Sequence, residues 1–242
     1  MFFYWGWNRA AYQQSDIHFT GEGYDFTLFD VAARDRQTPF HLDPYFKASR
    51  ITIPQTNMRF GYMLSDKYSL SIGDDHMKYV MRQYQEVLMS GYIKGESDFN
   101  GVYDETPVVL TPQFLTFEHT DGLNYINLEL RRHDVHFEYW ENRIRLSTIV
   151  GVGAGVLFPK TNAKLMSKPR HDEFHVAGWG TALVAGVSAT FFNYFFAQME
   201  LKGGFISMPD IRTSPDPADK ASQHFMFTQG NVVFGVAFPI AK

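Results

Sequence analysis

The stretch from Leu115 to Phe158 sets the pattern for the rest of the chain. Ile144, Leu146, Thr148, Val150, Val152 and Ala154 alternate with Arg143, Arg145, Ser147, Ile149, Gly151 and Gly153. A period of two belongs to a β-strand, whose successive side chains point to opposite faces. The run is much longer than the ~5–6 residues usual for a soluble strand. One face is aliphatic and the other mostly small or charged. A soluble sandwich buries the aliphatic face, whereas a transmembrane barrel turns it to lipid and packs the charged face inside.

The same alternation predicts eight strands: Tyr4 to Phe19, Ile51 to Met63, Tyr68 to Met81, Leu115 to Tyr139, Arg143 to Phe158, His175 to Thr190, Tyr194 to Ser207 and Phe225 to Pro239. Long connections follow the first, third, fifth and seventh: Gly21 to Arg50, Arg82 to Pro112, Lys160 to Phe174 and Met208 to Gln223. Within the first of these, Tyr24 to Val31 reads as a strand extension or short hairpin. Short polar turns at Asp66, at Glu141-Asn142 and at Asn193 join the remaining pairs. Alternating short and long connections are the asymmetry of an outer-membrane barrel, with short periplasmic turns and long outer loops. An even strand count places both termini on the short-turn side.

Composition narrows the class further. No window of this 242-residue chain approaches the ~18 apolar residues of a transmembrane helix, a limit that does not touch strands. Aromatic content is 17%, and Phe3, Trp5 and Trp7 share one strand face, as in an interfacial girdle. A net charge of −4 without a basic run argues against nucleic acid as partner. There are no cysteines, hence no disulfide framework or thiolate metal site, and no motif calls for a cofactor. The opening Met1-Phe2-Phe3-Tyr4-Trp5 has no charged n-region or cleavage site, so a signal peptide is expected to have been removed.

On this alternation, and on the segments Ser15 to Phe19, Asp74 to Tyr79 and Phe117 to Gly122, the chain resembles the small eight-stranded outer-membrane barrels of Gram-negative bacteria. The resemblance implies an all-β fold: a single antiparallel transmembrane β-barrel over residues 1–242, with long extracellular loops and short periplasmic turns. Its surroundings would be outer-membrane lipids and lipopolysaccharide, and another outer-membrane protein is an admissible partner. The chain ends in Ala241-Lys242 where such barrels usually end in an aromatic residue, with Phe238 close by.

Two sets of residues are candidates for function. Arg59, Glu129, Arg131, Arg145, Glu200 and Lys202 share inward parity and should form an ion network that closes the lumen. Nearer the long-loop end, Asp16, His18, Asp75, His119 and Asp121 also have inward parity. Asp75 and the His119–Asp121 pair lie on neighbouring strands and could converge, as general-base or metal chemistry requires. A hydrogen-bonded plug at the barrel mouth is the expected reading. Asp74 and His76 have outward parity, which reads as rim solvation or lipid head-group contact, or more sharply as a lipid-facing hydrolase like the outer-membrane lipid A deacylases. No His-x-Ser pair stands on an outward face, so that resemblance stops at architecture. Gly151-Val152-Gly153-Ala154-Gly155 imitates a nucleotide loop, but no helix follows, and interior packing is expected instead. His171 and His175 bracket Asp172 and Glu173 in a connection, where a solvated loop is expected ahead of metal binding. The function expected is non-enzymatic: a plugged barrel whose outer loops bind a ligand or partner. A lipid hydrolase is the alternative, and a narrow pore the second alternative.

Overall fold

The computed structural model describes residues 1–47, 50, 54–95, 97–141 and 143–238. Ile51 to Ile53 of the expected second strand, Asn142 of a short turn, and the Ala241-Lys242 terminus lie outside the described residues. The first strands are β1 (Phe2–Tyr12), β2 (Ser15–Gly21), β3 (Tyr24–Val31) and β4 (Ala33–Arg34), followed by one helical turn, α1 (Leu42–Tyr45). Next come β5 (Thr56–Met63), β6 (Tyr68–Met81), β7 (Glu86–Ile93), β8 (Gly101–Val109), β9 (Leu115–Tyr139) and β10 (Ile144–Leu157). The last are β11 (Lys160–Leu165), β12 (His171–Phe174), β13 (Gly178–Phe191), β14 (Phe195–Arg212) and β15 (Lys220–Ala237).

Eight of these close a ring in the order β1, β5, β6, β9, β10, β13, β14, β15, with β15 pairing back to β1 and every pair antiparallel. Closure leaves the wall no free edge, so its backbone groups are satisfied within it, as a membrane requires. The outward face carries an apolar belt. Phe60, Leu183, Met199 and Leu201 are 59%, 67%, 62% and 65% exposed. A water-soluble barrel has no use for such a surface, and lipid does. The terminal amine donates to the Phe238 carbonyl at 2.9 Å, so both ends of the described chain sit at the short-turn side.

The long connections are the main departure from expectation. Arg82 to Pro112 and Lys160 to Phe174 are not plain polar loops; they hold β7, β8, β11 and β12. Met208 to Gln223 is mostly strand, because β14 runs on to Arg212 and β15 starts at Lys220. These segments build an upper storey on the barrel. β2 joins the upper part of β15, β3 and β7 extend that sheet to β8, and β11 adds to the upper part of β9. Ile17, Phe19, Phe26, Phe117, Met208 and Phe225 lie in a buried apolar core inside it.

The polarity of the inward face therefore reverses along single strands. Low on β14 the inward residues are Gln198, Glu200 and Lys202; higher up they are Ile206 and Met208. Beside lipid an apolar side chain loses nothing by facing outward. Above the membrane the outside is water, and the hydrophobic effect turns the apolar face inward.

Candidate functional site

Six charged side chains cross the lower lumen: Arg59 from β5, Asp75 from β6, Glu129 and Arg131 from β9, and Glu200 and Lys202 from β14. All are buried, none more than 5% exposed. Glu129 is the hub. Its Oε1 lies 2.9 Å from Arg59 Nη2 and 2.7 Å from Lys202 Nζ, and its Oε2 lies 2.6 Å from Arg131 Nη2. Arg131 also reaches Glu200 at 2.5 Å, and Lys202 reaches Asp75 at 2.5 Å. The Tyr4 hydroxyl accepts from Arg59 Nε at 3.1 Å and Arg131 Nη2 at 2.8 Å, and Asn127 bridges Arg59 to Asp75. Three cations face three carboxylates, so the layer is neutral, and Gln198 and Asn231 add hydrogen bonds to Glu200. That is the condition under which buried charge is tolerable.

The glycines of the adjacent strand, β10, make the room, Gly151 pairing with Arg131 and Gly153 with Glu129. A Cβ added at Gly153 would come within 2.8 Å of Glu129 Cγ, and one at Gly151 within 2.8 Å of Arg131 Cγ. Below the charged layer, Phe2, Tyr4 and Val233 form a small apolar cluster toward the short-turn end. Above it Tyr125, Leu157 and Phe227 begin the upper core.

Five of the six residues expected in the network are in it. Arg145 is not: it is half-buried near the short-turn end, opposite Glu138 and Thr190, and takes no part in the lattice. Asp75, expected at the mouth, belongs to the lattice instead.

The mouth cluster does not assemble. Asp16 and His18 face outward, because the chain breaks at Gln13-Gln14 between β1 and β2 and the inward parity shifts from even to odd residues. Asp16 accepts from the Asp30 amide, and His18 pairs with Asp25 at 2.9 Å. Asp121 is thrown outward by a β-bulge. Met77 pairs with Leu123 but Tyr79 with His119, so β9 spends four residues where β6 spends two, and Gly122 sits at φ +130. Asp121 then binds Lys160 at 3.1 Å. His119 alone turns inward, against Phe117 and Tyr79, with Thr161 Oγ1 3.1 Å from its Nδ1. These four groups thus have separate partners, and no general base is assembled there. His171 and His175 also part company, His171 Nδ1 meeting the Thr161 carbonyl and His175 pairing with Asp210 at 2.9 Å.

Burial in the upper core pushes the His119 imidazole down to about 3. Its folded value lies below its unfolded one, so the stability it permits is complete above neutrality and is lost as pH falls. Acidification from about pH 6.5 to about pH 4 should cost the upper storey about 3 kcal/mol through this residue. Limited proteolysis across that range should show the upper strands opening first, and His119→Gln should flatten the response. A profile identical in wild type and variant would refute it.

Asp74 and His76 do face outward. His76 Nδ1 lies 2.8 Å from Asn124 Oδ1. Register places Thr56 and Asn124 on either side of His76, and Met58 and Ile126 on either side of Asp74. Sequence reasoning missed Thr56 and Asn124 as neighbours of His76 because each lies on a different strand and only the pairing aligns them.

No family model matches this chain, and no curated protein matches it. Among solved structures it is similar to the outer membrane protein OprG from Pseudomonas aeruginosa, at 12% identity and a TM-score of 0.43, over 99% of this chain and 96% of that one. It is also similar to Ail, the attachment invasion locus protein of Yersinia pestis, at 8% identity and a TM-score of 0.27, over 92% and 98%. A third is the outer membrane protease OmpT from Escherichia coli, at 7% identity and a TM-score of 0.23, over 98% and 95%. Likenesses this loose carry no function across; the barrel rests on its own strand pairing.

Proposed function

We propose that this chain is an integral barrel of a bacterial outer membrane, that it is not an enzyme, and that its upper storey presents a rigid surface outside the cell to a ligand or a partner protein. The neutral six-charge lattice across the lumen carries this reading. A pore needs an open polar path, and here the charges consume one another beneath a buried apolar core. The His and carboxylate groups that could have formed a hydrolase at the mouth are dispersed among separate partners. Lipid and lipopolysaccharide are the expected neighbours of the outward belt.

Planar-bilayer recordings test the closed lumen: purified protein should insert without steady conductance, and an open-channel conductance in the wild type would overturn the reading. Orientation is tested on intact cells. Trypsin should cut at the exposed Lys94 and Arg170 of the upper storey and spare the equally exposed Lys67 in the short turn after β5. Cutting at Lys67 while cells stay intact would sink the topology.

A further inference from the structure

The outward wall carries a polar row at the level where the lipid belt meets the upper storey. Trp7, Thr56, His76 and Asn124 are successive Cα partners across β1, β5, β6 and β9, so their side chains stand side by side on one face. Asp74 stands just below His76, flanked by the lipid-exposed Met58 and Ile126. Among the described residues, the Trp7 indole N–H and the Asp74 Oδ1 are buried without a hydrogen-bond partner. With Asn124 Oδ1 as the acceptor, His76 Nδ1 carries the proton and Nε2 is left with its lone pair. The row thus holds one unmet donor beside two acceptors at the rim of the lipid belt, where an unpaired buried polar group is costly.

A strap of chain leans over the Trp7 end of this row. The Tyr45 and Phe46 rings lie 5.8 and 5.5 Å from Trp7. The strap is held by the Tyr45 hydroxyl, which accepts from Arg9 Nη2 at 3.0 Å and donates to the Thr38 carbonyl at 2.7 Å. Phe40, Leu42 and Phe46 project from it 68%, 75% and 62% exposed. They extend the apolar belt of the wall, so the surface they complete is a lipid-facing one.

We propose that this row binds the polar neck of an outer-leaflet lipid, taking the carbonyl of an acyl ester on the Trp7 N–H and a headgroup hydroxyl on His76 Nε2 and Asp74, while Phe40, Leu42 and Phe46 pack against the acyl chains. The Trp7 N–H calls for a carbonyl and the acceptors of His76 and Asp74 for a donor, so the ligand is an esterified lipid bearing a hydroxyl. The proposal rests on the membrane-spanning reading above.

The probe pair is diacyl phosphatidylglycerol and its dialkyl ether analogue, identical but for the carbonyls. The full chain is reconstituted in vesicles of each, extracted, and its retained lipid counted by native mass spectrometry. The expected result is about tenfold greater retention of the diacyl lipid, the effect of one hydrogen bond, with Trp7→Phe reducing it to the ether level and Leu183→Ala, on the opposite wall, leaving it unchanged. Equal retention of ester and ether by the wild type would overturn the proposal whether or not the variants fold, as would release of fatty acid from the diacyl probe. A chain that inserts into neither vesicle overturns the membrane reading and this one with it; one that inserts and retains both lipids equally overturns this one alone.

Discussion

Replacing Glu129 with alanine should destabilise the barrel by about 3–5 kcal/mol, the cost of breaking a buried ion pair by removing one partner. The direction follows from the geometry. Glu129 is the contact shared by Arg59, Arg131 and Lys202, at 2.9, 2.6 and 2.7 Å. Without it three buried cations face two carboxylates, and the layer carries an uncompensated charge in a site with almost no water. Glu129→Gln keeps the shape and some acceptor capacity, so it should fall between wild type and alanine. Arg145→Ala should change little, since Arg145 stands apart from the lattice. Urea titration of the protein folded in vesicles, followed by the loss of heat-modifiable migration, gives the midpoints. A Glu129→Ala midpoint equal to that of Arg145→Ala would refute the lattice as a source of stability. A second route to the same layer is steric: Gly153→Leu must displace Glu129 Cγ, and overpacking typically costs about 1–3 kcal/mol.

The wall of the barrel was legible because lipid and lumen impose opposite demands on alternate residues for many residues at a time. β6 and β9 match the expected Tyr68–Met81 and Leu115–Tyr139. The network was legible for the same reason: parity alone carries Glu129, Arg131, Glu200 and Lys202 inward. What parity could not see was any place where register changes. The break at Gln13-Gln14 and the bulge before Leu123 each redirect side chains, and they disperse the cluster of Asp16, His18, Asp75, His119 and Asp121. Arg145 shows the other limit, since inward parity does not say at what height a residue sits. The upper storey was hidden differently. Val87, Met89 and Ile93 alternate as cleanly as a wall strand, but the run is short and surrounded by polar residues and glycine, which read as loop. Its signature is a repeat of inward apolar pairs: Ile17 and Phe19 at the end of the expected first strand, Phe26 and Leu28 in the first long connection, Val87 and Met89 in the second.

The upper storey should open as a unit separate from the wall, and Phe117→Ala is the substitution that shows it. Phe117 is 1% exposed, with ring contacts to Phe19, Tyr79 and His119 at 5.7, 6.5 and 5.1 Å. Truncating such a residue in a packed core costs about 3–5 kcal/mol. The wall below gets its stability from ring closure, the lipid belt and the charge lattice, none of which Phe117 touches. The loss should therefore appear as local opening. Hydrogen exchange should rise by about two to three orders of magnitude in β2, β3 and β7, the conversion of that free energy at room temperature. Amides of β10 and β13 should keep wild-type protection. The urea midpoint of the wall should stay near wild type, in contrast to Glu129→Ala. Equal deprotection of β10 and β13 would mean that storey and wall unfold as one, and that the surface offered outside the cell cannot move without the barrel.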